Sequence, residues 1–140
     1  MSAETKPTAA FDEPKLEALV EMMFHAAKAD GELADEERSE FLRSVESLTD
    51  KRLDAPTLEA LLPKLEALVA KEGLPARLAA IKAALPSPNL RIIALELAIR
   101  VVLADGILRT SERELLFDIA EALEIDRDKA ADLVISVTAG

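Results

Sequence analysis

The tripeptide Ala29-Asp30-Gly31 recurs as Ala104-Asp105-Gly106, seventy-five positions later, and each copy stands between an apolar segment and a more polar one. A corner repeated at one fixed offset narrows the choice of fold sharply, because it asks for two helix–turn–helix units of the same build. The register holds on both sides of the turn. Downstream, Leu33, Glu37 and Arg38 match Leu108, Glu112 and Arg113, and Phe41, Val45 and Leu48 match Leu116, Ala120 and Leu123. Upstream, Glu21 matches Glu96.

Apolar residues recur along the chain at steps of three and four, the helical period. Leu16, Leu19, Val20, Met23 and Ala27 predict a helix over 14–29, with Pro14 in its first turn and Gly31 as its stop; Gly31 and Gly106, each directly after a helix end, are expected at positive φ. Met22, Met23 and Phe24 read as core. Asp35 is the expected N-cap of the next helix, which Glu36 and Glu37 open on the positive end of the macrodipole and which runs to Leu48. A third segment, 56–70, keeps its phase across Pro63 and reads as one kinked helix or two abutting ones. A shorter helix follows over 75–85.

Pro86-Ser87-Pro88 reads as the hinge between the halves, with Ser87 as N-cap. The segment 89–103 is apolar on nearly every face and is expected at the centre of the domain. Thr110 or Ser111 should cap a helix over 112–123, and Ser111 with Glu114 has capping-box spacing. A last helix opens after Asp126. No stretch alternates with a period of two, so the expected fold is all-α, one domain over 13–140 built from two pseudo-repeated halves, after a tail at 1–12.

Composition trims the functions open to such a bundle. Cysteine is absent, which removes disulfides, thiolate metal sites and a Cys nucleophile. The net charge is -10 and neither Trp nor Tyr occurs, so the chain offers little to a nucleic-acid backbone. Residues 1–70 hold 16 acids against 8 bases and residues 71–140 hold 11 against 9, which puts most of the negative field on the first half. The apolar run at 92–103 is interrupted by Glu96 and Arg100 and is shorter than the ~20 residues of a membrane span. With no secretory signal at the start, the expected location is the cytoplasm.

The first corner gathers Asp30, Glu32, Asp35, Glu36, Glu37 and Glu40 within eleven residues. Converging carboxylates suit a hard divalent ion, Ca2+ or Mg2+, although the spacing is not that of a calcium loop. Such an ion would take Asp30, Glu32, Asp35 and Glu37 as ligands and bind weakly. The competing and simpler reading gives the same residues to turn and helix-cap hydrogen bonds. Only Asp105 and Glu112 persist at the second corner, which makes them the lesser metal candidates and more readily parts of the turn.

Glu21 and His25 are four apart, as are Glu96 and Arg100. No nucleophile, orienting residue or phosphate loop accompanies either pair, so they read as i,i+4 ion pairs rather than as acid–base couples.

The two corners, AAKADGELADEE and VVLADGILRTSE, resemble those of the TerB family associated with tellurite resistance, and of the related domain at the start of the membrane-anchored DjlA co-chaperones. The resemblance spans about residues 14–137. It implies a compact bundle of about seven helices in bacteria, cytoplasmic or at the inner membrane face, with no enzymatic activity. It further implies that Asp30, Glu37, Asp105 and Glu112 belong to the region suspected of metal binding. This chain shows neither a membrane span nor a J-domain, so the anchored co-chaperone role does not transfer. The expected function is a non-enzymatic module that presents an acidic surface to a protein partner or a divalent ion, in a tellurite or other stress response. The alternative is a structural or scaffolding domain with no metal site.

Overall fold

The computed structural model describes residues 11–29, 31, 34–105 and 108–139, which form seven α-helices and no strand. They are α1 (Glu13–Ala27), α2 (Asp35–Leu48), α3 (Ala55–Glu72), α4 (Leu74–Ala84), α5 (Pro88–Val102), α6 (Thr110–Ala122) and α7 (Arg127–Ala139). A short 3-10 turn, Leu103–Asp105, follows α5.

The duplication is visible in the helix bounds. Glu13 and Pro88 open helices of 15 residues each, and Asp35 and Thr110 open the next pair, all at the offset of seventy-five. It also reaches a third helix, which the sequence reading did not include. Leu53 and Ile125 are buried just before α3 and α7, and the amides of Leu58 and Ala130 bond to the carbonyls of Asp54 and Asp126 at 3.0 and 2.9 Å. The offset there is seventy-two, so the unit is α1–α2–α3 repeated as α5–α6–α7, with α4 between.

Both copies of the second helix end in the same way. After α2, the amides of Asp50 and Lys51 bond back to Ser47 and Glu46, and after α6 those of Glu124 and Ile125 bond back to Glu121 and Ala120. These are the paired bonds of a Schellman cap, whose left-handed residue is usually Gly. Here it is Asp50 at φ 56° and Glu124 at φ 59°. The glycine signal is lacking, yet the end of the apolar period at Leu48 and Leu123 marks both stops to within one residue.

The core lies where α1 crosses α5, the most extensive helix contact in the fold. Leu19, Met22, Met23 and Phe24 of α1 and Leu95, Ala98 and Ile99 of α5 are all fully buried. Each large side chain so enclosed contributes about 1.5–3 kcal/mol. The 89–103 helix, α5, lies at the centre as expected, packed against α1, α2, α6 and α7, and α1 beside it is buried at every position from Ala18 to Ala26. Phe11 is buried and the Asp12 carboxylate caps α1 by accepting from the Lys15 amide at 3.2 Å, so both belong to the folded part.

Pro63 neither ends nor splits α3, which is one continuous helix. Its exposed position, with Glu59 one turn earlier also exposed, lets water take the carbonyl that a proline cannot satisfy. Near the predicted hinge, Ser87 is the N-cap of α5 as expected, though through its backbone alone. Arg91 then reaches across the hinge. Its Nε donates to the Leu85 carbonyl at 2.6 Å and its Nη1 to the Leu123 carbonyl at 3.2 Å, at the C-terminal ends of α4 and α6.

Candidate functional site

Each corner is built by a glutamate that reaches back. Glu37 Oε1 accepts from the Ala34 amide at 2.9 Å, and Glu112 Oε1 accepts from the Arg109 amide at the same distance. Ala34 and Arg109 are therefore the N-caps of α2 and α6. Three expectations are corrected by this. Asp35 is the first helical residue rather than the cap, neither Thr110 nor Ser111 caps α6, and the residue that reaches back is Glu112 instead of Glu114. The reason is shared: a glutamate at the third helical position satisfies the N-cap amide with its own carboxylate, so the cap residue needs no side-chain oxygen.

Gly31 lies beyond the end of α1 instead of terminating it. The helix closes at Ala27 with Lys28 as C-cap, Ala29 bonds back to Ala26 at 3.3 Å, and the Gly31 amide closes a second turn on the Lys28 carbonyl at 2.9 Å. Its φ of 128° is positive as the sequence suggested, and a Cβ added there would meet nothing within 4 Å. The companion expectation for Gly106 lies outside the described residues, as do Asp30 and Glu32. Of Asp105 the backbone alone is described, as the last residue of the 3-10 turn.

The two corners face one cleft of about 200 Å3. Glu36, Glu37 and Glu40 line it from α2, and Arg109 and Glu112 line it from the second corner, over a floor that includes Ala27, Phe41, Val101 and Val102. Glu36 and Glu40 are exposed, whereas Glu112 is buried with its carboxylate 3.8 Å from Arg109 Nη1. Of the expected metal ligands on α2, Glu37 lines the cleft and Asp35 does not, and among the described residues no three His, Cys, Asp or Glu side chains are grouped to hold a metal ion.

A second polar constellation lies deeper. Glu21 is only 3% exposed and His25 only 5%. The expected i,i+4 pair forms, and it is buried. Glu21 Oε2 is 3.0 Å from His25 Nε2 and accepts from Arg77 Nε at 2.8 Å, while Oε1 accepts from Arg77 Nη2 at 2.8 Å. Arg77 also donates to Glu72 Oε1 at 3.0 Å. This fork geometry is the strongest carboxylate recognition a side chain offers. Burial pushes the Glu21 carboxyl up, but the hydrogen bonds from Arg77 and His25 outweigh it and hold the group below the usual range. Arg77 is correspondingly raised, chiefly by its bonds to Glu21.

Sequence reasoning missed Arg77 because fifty-six residues separate it from its partner. One signal was present. From Ala18 to Ala27 every residue except Glu21 and His25 is apolar, so the helix has no solvent face to hold a charge, and a carboxylate in it requires a cation from elsewhere.

Among the described residues, no helix is long and apolar enough to cross a membrane. Comparison of the chain with family models, curated proteins and solved structures finds no match, so its functional reading rests on its own residues.

Proposed function

We propose that the chain is a non-enzymatic interaction module of the TerB type, which presents the acidic cleft between its two corners to a protein partner or a divalent ion in a stress response. The observation that carries this reading is convergence. Carboxylates of α2 and of the second corner, far apart in sequence, line one cleft over an apolar floor. That arrangement suits a cationic group held at a helix corner. A non-enzymatic role accords with the single histidine, which is buried and bonded to Glu21 rather than presented to the cleft.

The test is a calorimetric titration with CaCl2 and with MgCl2, followed by one with a lysine-containing helical peptide. Binding of an ion at about 10⁻⁴–10⁻³ M, as at the weak end of calcium sites, and its loss in Asp30→Asn and in Glu36→Gln with Glu40→Gln, supports the reading. Peptide binding lost in the same variants supports its protein-partner form. The scaffolding alternative has its own support, since Glu37 and Glu112 each commit a carboxylate oxygen to a helix cap. Silence with every ligand leaves that alternative standing.

A further inference from the structure

The two corners share a cap and differ in the side chain of the residue that provides it. Ala34 caps α2 at φ -67° and ψ 163°, and Arg109 caps α6 at φ -78° and ψ 156°. In each, the glutamate three residues on accepts from the cap amide, a bond that asks nothing of the cap side chain. The first copy, with alanine, shows the cap complete without one. The guanidinium that Arg109 carries is thus surplus to the cap.

Arg109 lines the corner cleft, where Glu36, Glu37, Glu40 and Glu112 also stand. Its Nη1 lies 3.8 Å from Glu112 Oε1, and its side chain is 40% exposed. Among the described lining residues it is the sole cation. The carboxylates around it need one. Glu36 and Glu40 are one turn apart on α2, a spacing at which like charges repel. Neither has an ion pair or a hydrogen bond among the described residues, and the arginines of α2 itself, Arg38 and Arg43, make none with them.

We infer that Arg109 is the cleft's own counter-cation and that a cationic ligand binds there by displacing it, an autoinhibitory contact built into the second corner. Resting on the corner cleft as the ligand site, this contact sets how tightly that site binds. A half-exposed arginine on a flexible stem leaves by rotating its own side chain, and the cap is undisturbed because the Arg109 amide stays with Glu112. An entering ammonium or divalent ion meets a like charge until it does. A carboxylate next to that ammonium would hold the displaced guanidinium, so the matching partner segment carries both signs.

Arg109→Ala and Arg109→Lys test this, and Ala34 shows that alanine keeps the cap. Without ligand, Arg109→Ala should lower the urea midpoint by about 0.2–0.5 M at about 0.01 M salt, and the loss should shrink at about 1 M salt, where charges are screened beyond ~3 Å. Arg109→Lys should keep the wild-type midpoint. The loss should also shrink in a protein carrying Glu36→Gln and Glu40→Gln. No loss, or a loss indifferent to salt and to those glutamates, would overturn the counter-cation. With ligand, Arg109→Ala should tighten the binding of CaCl2 about tenfold and of a lysine-containing helical peptide about threefold, because the repulsion removed scales with the charge of the ligand. Affinities equal to or weaker than wild type would overturn the displacement and leave the cleft as a ligand site. Silence of both ligands with both proteins would overturn the ligand site and the displacement together.

Discussion

Glu21 with His25 and Glu96 with Arg100 occupy the same positions of the same repeated helix, yet the first pair is sealed in the core and the second meets solvent. The difference comes from a helix that only one half has. In the first half α4 enters between α3 and α1, so that α3 reaches α1 through ion pairs, Lys28 with Glu66 at 3.9 Å and Lys64 with Glu17 at 3.8 Å. In the second half α7 lies directly on α5. Duplication repeats the helix starts and the corner caps of α2 and α6, whereas what the chain inserts between the halves decides which charges are buried. A buried carboxylate costs several kcal/mol in lost hydration, so the half with the extra helix also needs the extra arginine.

Substitution separates the halves most strongly at these glutamates. Glu21→Ala leaves Arg77 without its fork partner and should cost about 3 kcal/mol, the lower end for a broken buried pair because Glu72 remains. Glu96→Ala, at an exposed pair, should shift stability by no more than about 0.5 kcal/mol. Urea midpoints for the two variants decide it, and equal losses would break the comparison. Glu21→Leu combined with Arg77→Met should recover most of the loss, since an apolar pair of similar volume carries no desolvation cost.

Acid should act on the same residue. Because the folded-state pKa of Glu21 is depressed, its contribution is fully present above the unfolded value of about 4.3 and is lost as pH falls through the folded value. Stability should therefore decline below about pH 4, and Glu21→Gln should flatten that decline in denaturation curves taken between roughly pH 5 and pH 3. An unchanged slope would mean that other carboxylates carry the acid response.

Smaller effects test the turns. Gly31→Ala should destabilise by ~1 kcal/mol through backbone strain alone, because the position is open and its φ is positive. A thermal midpoint matching the wild type would refute that strain. Asp50→Gly should do the reverse and stabilise by about 0.5–1 kcal/mol, since a left-handed C-cap suits glycine. A lower midpoint for this variant would show that the Asp50 side chain matters more than its backbone angle.

Much of the architecture was legible. Seven helical segments, their order and the two-fold repeat follow from apolar periodicity and from the Asp-Gly offset, because both reflect contacts local to a helix or copied with it. Helix starts are less legible, since Ser, Thr and Asp mark a cap in sequence whereas Glu37 and Glu112 satisfy the cap amides from three residues inside. The corner cleft was foreshadowed only as an acidic cluster. That Glu112 joins Glu36 and Glu40 on one cleft depends on how α2 and α6 pack, which periodicity does not encode. The burial of Glu21 was missed for the same reason, its partner being supplied by α4.

Arg91 gives the predicted hinge a different character. Its guanidinium binds carbonyls that end α4 in one half and α6 in the other, where the negative pole of each helix favours a cation. Swinging the halves apart at Pro86-Ser87-Pro88 would have to strip those carbonyls as well as open the α1–α5 core. The linker is therefore a clasp, and the chain should melt in a single cooperative step, its calorimetric and van't Hoff enthalpies equal, instead of half by half.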